Sequence, residues 1–311
     1  MVKLSDRLEK ICNSVEPGEI VADIGTDHGL LPLALFERGI SPYMILTDVR
    51  QGPLEKVRNN LDHYFQRYEL QRRYVIIDRS SEYEHSKQVA ETVNTPQTTI
   101  RNSEAEKGIS CFDIRLGSGL EVLAHTEVDT AVIAGIGGLL ILELLNKDQR
   151  KTRSIKKLIL QPRIAADKLR RWLSENGYHI SKDELAMEYG RINEIITVCN
   201  NGNVSARTSK LSMRNKSRKV CDNNEVWEDN IKSCVELLRE SGLIYEISEE
   251  LLWRCDPLLP EFLSIRIERN KKIINQIKQS GKRSAGENKL TRMEAVTDAY
   301  STVLRMINKE M

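Results

Sequence analysis

Glu19-Ile20-Val21-Ala22-Asp23-Ile24-Gly25-Thr26-Asp27-His28-Gly29 is the stretch that decides the fold. The apolar Val21-Ala22 runs into a glycine turn, and a second apolar run, Met44-Ile45-Leu46, ends in Thr47-Asp48. The order is strand, glycine turn, helix, strand, acid. Gly25 and Gly29 let the backbone turn sharply and approach a ligand closely, while an acid about 20 residues beyond such a turn can hold the two hydroxyls of a ribose. A nucleoside site is therefore expected, with Asp23, Gly25, Gly29 and Asp48 lining it.

Asp27 narrows the ligand. A dinucleotide site needs a bare helix N-terminus and a third glycine for its pyrophosphate, and a carboxylate at that point would repel the phosphates. The same Asp27, with Asp23 before it, suits a ligand that carries positive charge. That points to S-adenosylmethionine, with its ammonium and sulfonium groups. The competing reading of the turn is an ordinary strand-to-helix connection with a capping Asp.

Working outward, strand and helix signals alternate as far as Cys199. Leu4, Leu8, Ile11 and Cys12 fall at helical spacing before the first strand, and helices follow at Leu31 to Arg38 and through Leu54, Val57 and Leu61. Tyr74 to Ile77 reads as a third strand, and the polar stretch 78–110 as a surface insertion. Cys111 to Leu116 leads into Gly117-Ser118-Gly119, and Asp129 to Ala134 into Gly135-Ile136-Gly137-Gly138. Lys157 to Gln161, a helix from Ala165 to Asn176, and strands near Glu184 to Met187 and Ile192 to Cys199 close the series. This alternation predicts an α/β fold, a Rossmann-like doubly wound parallel sheet of the class I methyltransferase layout, with one antiparallel strand at its edge. Residues 1–200 are expected to form that domain, 201–225 a basic linker, and 226–311 a helical domain. Its last part has apolar stripes through Leu259, Leu263, Ile267, Ile274 and through Val296, Tyr300, Val303, which predict an antiparallel helical hairpin.

Composition limits the function classes. The 311 residues exceed the usual single-domain size, no stretch is apolar enough to span a bilayer, and Met1 to Asp6 lacks a signal peptide's apolar region. Six cysteines contain no C-x-x-C pair and no nearby His partner, so they read as reduced thiols of a cytosolic protein, with no metal expected. The net charge of +2 does not choose a partner, because the placement of positive charge matters more than its sum.

Several motifs together resemble one family. They are Leu4-Ser5-x-Arg7-Leu8, Ala22-Asp23-Ile24-Gly25-Thr26-Asp27-His28, Gly52-Pro53-Leu54, Ile133-Ala134-Gly135-Ile136-Gly137-Gly138 and Leu158-Ile159-Leu160-Gln161-Pro162. Trp172-Leu173, Asn176-Gly177, Glu194-Ile195-Ile196 and Asp256-Pro257-Leu258-Leu259 extend the match. In this combination and order they resemble the bacterial tRNA (adenine(22)-N1)-methyltransferases. The resemblance implies an S-adenosylmethionine-dependent enzyme that methylates N1 of an adenine in the D-loop region of tRNA, with a helical C-terminal domain. Three positions depart from the family pattern: Ser118 stands where many relatives carry Asp, Leu30 where an aromatic residue is common, and Arg163 where Asn is.

Cofactor binding is expected from Asp23, Gly25, Asp27, Gly29, Asp48, Gly117, Ser118, Gly135 and Gly137, with the last two facing the transferred methyl in this architecture. Asp27, His28 and Gln161 are the candidate catalytic residues. Adenine N1 already carries an in-plane lone pair, so transfer needs no prior deprotonation, and the product ring is cationic. Asp27 can then orient substrate or offset the developing charge, and Gln161 can bond the adenine edge through its amide. His28 reads either as a site residue or as a helix cap. For RNA, Arg266, Arg269, Lys271, Lys272 and Lys278 make a basic run suited to tRNA phosphates. Two other functions stay open: a methyltransferase for another RNA or a small molecule, and an RNA-binding protein that keeps the fold without turnover. An NAD-dependent reductase is disfavoured by Asp27.

Overall fold

The computed structural model describes residues 2–67, 73–80, 109–200, 225–279 and 287–308. Most of the expected 78–110 insertion, nearly all of the basic 201–225 linker and the loop at 281–286 lie outside these residues. Eight strands form one sheet: β1 (Val21–Ile24), β2 (Tyr43–Asp48), β3 (Arg73–Asp78), β4 (Ile109–Leu116), β5 (Thr130–Ile136), β6 (Lys157–Pro162), β7 (His179–Glu188) and β8 (Arg191–Cys199). Their order is β3-β4-β2-β1-β5-β6-β8-β7. The inner strands are parallel and read as continuous apolar runs because both faces are covered: Met44, Ile45 and Leu46, Val132 and Ile133, and Leu158 to Leu160 are all buried.

The order reverses at β1, with β2 on one side and β5 on the other, which opens the crevice where doubly wound sheets bind ligands. The antiparallel strand is not at the edge as expected. β8 runs antiparallel to β6, with Leu158 opposite Val198, and takes the second place, leaving β7 outermost. Tyr189 and Gly190 have φ of 49° and 71°, the left-handed pair that a tight hairpin requires, so β7 and β8 are joined as antiparallel neighbours.

The helices of the sheet region are α1 (Asp6–Cys12), α2 (Leu30–Glu37), α3 (Gln51–Arg67), α4 (Gly138–Lys147), α5 (Gln149–Ser154) and α6 (Ala166–Glu175), with a single 3-10 turn at Gly119–Val122. Beyond them come α7 (Glu225–Glu240), α8 (Glu249–Trp253), α9 (Leu259–Gln279) and α10 (Glu287–Asn308). The chain divides into two compact units. One comprises Met1–Ala165, Trp172–Lys182 and Asn193–Asn201, the other Ala166–Arg171, Asp183–Ile192 and Gly202–Met311.

The second unit has its own core, in which Leu185 packs with Leu238, Leu251, Leu263, Tyr300 and Val303. Arg170 lies in that unit with Asp183, bonded through Nε at 2.7 Å and Nη2 at 3.0 Å, and also donates to the Tyr245 carbonyl at 3.2 Å. Asp256 explains its own motif: one oxygen accepts the Leu185 N–H at 3.0 Å while the other accepts the Leu258 N–H, fixing the start of α9. α9 and α10 form the expected hairpin, with Lys278 and Glu294 paired across it at 2.8 Å. Of the thiols, Cys12, Cys111, Cys199 and Cys234 are free, whereas Cys255 is disulfide-bonded, a departure from the reduced state expected throughout.

Candidate active site

The carboxyl ends of β1, β2, β4 and β5 carry the candidate residues. After β1 the backbone turns at Gly25, whose φ is +78°, and an added Cβ would meet nothing within 4 Å there. The turn is tied to the neighbouring strand, because the N–H groups of Gly25 and Thr26 both donate to the Thr47 carbonyl at 2.8 and 2.9 Å. Gly29 then opens α2 with φ +67°, and a Cβ there would press on Val57 at 3.2 Å. Glycine at 25 serves open approach; glycine at 29 serves close packing.

Asp23 is the acid of β1 and is half-buried. Burial pushes its carboxyl up to about 6, opposed by the Thr26 side chain and by the charge of Arg7. Asp48 ends β2, where its Oδ1 accepts the Arg50 N–H at 2.9 Å and its backbone carbonyl accepts the Gly117 N–H at 2.9 Å. That second bond brings the Gly117-Ser118-Gly119 loop beside Asp48. Asp27 and His28 stand in solvent at 74% and 52% side-chain exposure, 3.3 Å apart. His28 also accepts a bond from Asn60 on its carbonyl, so its backbone is held while its ring is exposed.

The loop after β4 is moored by a cluster with no obvious sequence signal. Arg115 bonds Glu127 with both terminal nitrogens, at 2.9 and 2.8 Å, and Asp113 at 2.7 Å; Tyr43 donates to Asp113 at 2.8 Å. Burial works against the guanidinium's charge, but the bonds to Glu127 and Asp113 outweigh it and raise its pKa. One hint was available: two charged residues at alternate positions in an otherwise apolar strand require partners if buried.

After β5, Gly137 and Gly138 lead into α4. A Cβ at Gly138 would lie 2.6 Å from the Ala165 carbonyl oxygen, and its N–H donates to Ile164 at 2.9 Å, so only glycine fits. Gln161 is bonded within the protein. It is 1% exposed, its side-chain oxygen accepts the Gly135 N–H at 3.0 Å and Arg7 at 3.3 Å, and its amide donates to the Pro162 carbonyl. Its oxygen is thereby engaged by Gly135 and Arg7. Of the basic run on α9, Arg266 pairs with Glu246 at 3.1 Å and lies over the Phe262 ring, and Lys278 is taken by Glu294; Arg269, Lys271 and Lys272 are exposed.

This donor set fits S-adenosylmethionine: the half-buried Asp23 and the exposed Asp27 near the glycine turn could face cationic groups, Asp48 could take a ribose, and backbone is open at Gly25 and Gly135 for close approach. Among the described residues no group of three or more His, Cys, Asp or Glu could hold a metal ion, and no helix is long and apolar enough to cross a membrane.

Sheet order, switch point and acidic glycine turn define a class I methyltransferase fold. A general methyltransferase-domain profile matches residues 4–77, and the profile of the tRNA (adenine(22)-N(1))-methyltransferase family matches residues 85–253, more than half of the chain. The chain belongs to the tRNA (adenine(22)-N(1))-methyltransferase family. The curated tRNA (adenine(22)-N(1))-methyltransferase of Bacillus subtilis is 26% identical over 196 residues, 63% of this chain; the match spans 64% of that enzyme's length. In structure, the B. subtilis M1A22 tRNA methyltransferase is similar with a TM-score of 0.63 at 20% identity, covering 98% of this chain and all of the other. M. capricolum TrmK in complex with S-adenosyl-homocysteine has a TM-score of 0.57 at 20% identity, covering 98% and 99% of the two chains.

Proposed function

We propose that this protein transfers a methyl group from S-adenosylmethionine to N1 of an adenine in tRNA, adenosine 22 by analogy with its curated relative, and that it works in the cytoplasm. The observation that carries the reading is the conjunction of Asp48, closing β2 beside the Gly117 loop, with the open, acid-flanked turn at Gly25. When bound, S-adenosylmethionine supplies an electrophilic methyl. In this reading Asp48 accepts the ribose hydroxyls, Ser118 bonds the cofactor's adenine through its hydroxyl, and Asp23 and Asp27 favour the ligand's positive charge. Gly135 and Gly137 leave room at the end of β5 for the methyl and the incoming base.

No side chain needs to remove a proton before transfer, because adenine N1 presents its lone pair directly. The protein's work is alignment, together with negative charge near a ring that becomes cationic. In this reading the exposed Asp27 supplies the compensating charge for that ring, with the exposed His28 beside it. RNA of this kind is recognised through shape, with the target base unstacked into the site. The test is transfer of labelled methyl from S-adenosylmethionine to tRNA lacking modification, followed by mapping of the product. Label at N1 of adenine 22 is expected; no transfer to any tRNA, by protein that binds the cofactor, would exclude the reading.

A further inference from the structure

Gly135 interrupts the ladder between β5 and β6. Ala134 pairs with Gln161 and Ile136 with Pro162, so Gly135 is the extra residue of a bulge, and its φ of +79° is one that glycine adopts freely. An N–H displaced from a ladder needs another acceptor when little water reaches it. The Gln161 side-chain oxygen takes that place at 3.0 Å.

A primary amide can offer either its oxygen or its NH2 to a neighbour, and only the oxygen suits Gly135; the NH2 would set donor against donor. Arg7 removes the ambiguity. Its Nη1 reaches the same oxygen at 3.3 Å, and a guanidinium has donors only, so the correct orientation is selected twice. The amide NH2 is then satisfied on the Pro162 carbonyl at 3.2 Å.

Arg7 is delivered by a helix that is itself held in place. Ser5 caps α1 by accepting from the Leu8 N–H, Ile11 and Cys12 are fully buried, and Glu9 takes both terminal nitrogens of Arg38 at 2.8 and 2.6 Å. We propose that Arg7 is a positioning residue: through the Gln161 amide it locks the Gly135 bulge, and so holds the end of β5 in one conformation for methyl transfer. The kinetic consequence rests on the methyltransferase reading; the hydrogen-bond network does not.

The test uses the full chain with Arg7→Met, Arg7→Lys, Gln161→Met and the double change of Arg7 and Gln161 to Met. Amide hydrogen exchange at Gly135, followed by NMR without ligand or RNA, reads the network directly. Arg7→Met should speed that exchange by about tenfold while the amides of Val132 and Ile133 keep their protection. It should also lower kcat by about tenfold to a hundredfold, with KM for cofactor and tRNA changed less than about threefold, since misalignment and not binding is the defect. Arg7→Lys, which keeps a donor, should recover part of both losses. Because Gln161→Met leaves the Arg7 charge near Asp23 untouched, matching effects of the two single changes, with the double no worse than Gln161→Met alone, separate positioning from a purely electrostatic role. Unchanged Gly135 exchange in Arg7→Met, or additive losses in the double variant, would overturn the proposal. If the parent protein methylates no tRNA, the functional reading fails, and the exchange data still decide whether Arg7 governs the bulge.

Discussion

Asp23 and Asp48 are both strand-end acids, yet their surroundings assign them different tasks. Asp48 has one oxygen closing a turn and stands beside the Gly117 loop. Replacing it with Ala should weaken binding of S-adenosyl-homocysteine by about 1–3 kcal/mol in calorimetry, the range for losing hydrogen bonds to a charged acceptor. Asp23 is held by burial at about 6, above the ordinary Asp value. The folded protein therefore keeps that proton more tightly than the unfolded chain does, so this group's contribution to stability is present at low pH and falls as pH rises from about 4 through about 6. A bound ammonium acts in the opposite sense by favouring the carboxylate. Cofactor affinity should consequently decline below pH ~6, by up to about tenfold per unit, and the decline should vanish in Asp23→Asn. Identical pH slopes in the two proteins would remove Asp23 from the ammonium's surroundings. Such acids and the glycines at 25 and 29 were legible because their signal is local. Arg7 and Gln161, 154 positions apart, became a pair only when α1 and β6 were brought together.

At the scale of elements, periodicity was informative about which segments form and silent about some of their neighbours. Alternating runs located the strands, but β8 and not β7 pairs with β6, a choice of neighbour that the pattern within a strand does not specify. α9 teaches the same lesson about charge. Its cations looked like one stripe; at about 100° per residue, however, Arg269 and Lys271 lie about 160° apart around the axis with Lys272 between them. Arg266 and Lys278 are already paired with Glu246 and Glu294. A single run of phosphates can therefore touch only part of the set. Replacing Arg269, Lys271 and Lys272 together with Gln should weaken tRNA binding and flatten its log–log salt dependence by about one or two contacts, short of three, with cofactor affinity unaffected. Filter-binding titrations from low to moderate salt that return the parent's affinity and slope would make this a solvated helix face and send the search for the RNA contact elsewhere.

At the scale of the whole molecule, the boundary between sheet and helices does not fall at one point in the chain. Asp183–Ile192, the tip of the β7–β8 hairpin, and the first turns of α6 belong to the same compact unit as the C-terminal helices. Leu185 is fully buried in the core of that unit, Arg170 draws on the Tyr245 carbonyl, and the Leu185 N–H is bonded by Asp256. All nine proposed cofactor-binding residues lie in the other unit. A chain ending at Asn200 should therefore retain cofactor binding and lose stability for a definable reason. It uncovers Leu185, worth about 1.5–3 kcal/mol when fully buried, and strips acceptors from a buried arginine and a strand N–H, each costing about 1–3 kcal/mol. Saturating S-adenosyl-homocysteine should raise the melting temperature of this shorter chain, since a ligand that binds only the folded state stabilises it by mass action. Methyl transfer to tRNA should be lost at the same time. A shorter chain that is folded by circular dichroism and yet shows no ligand-dependent shift would place part of the cofactor site in the C-terminal unit, whereas one that methylates tRNA at the full rate would relieve the helices of any part in RNA binding.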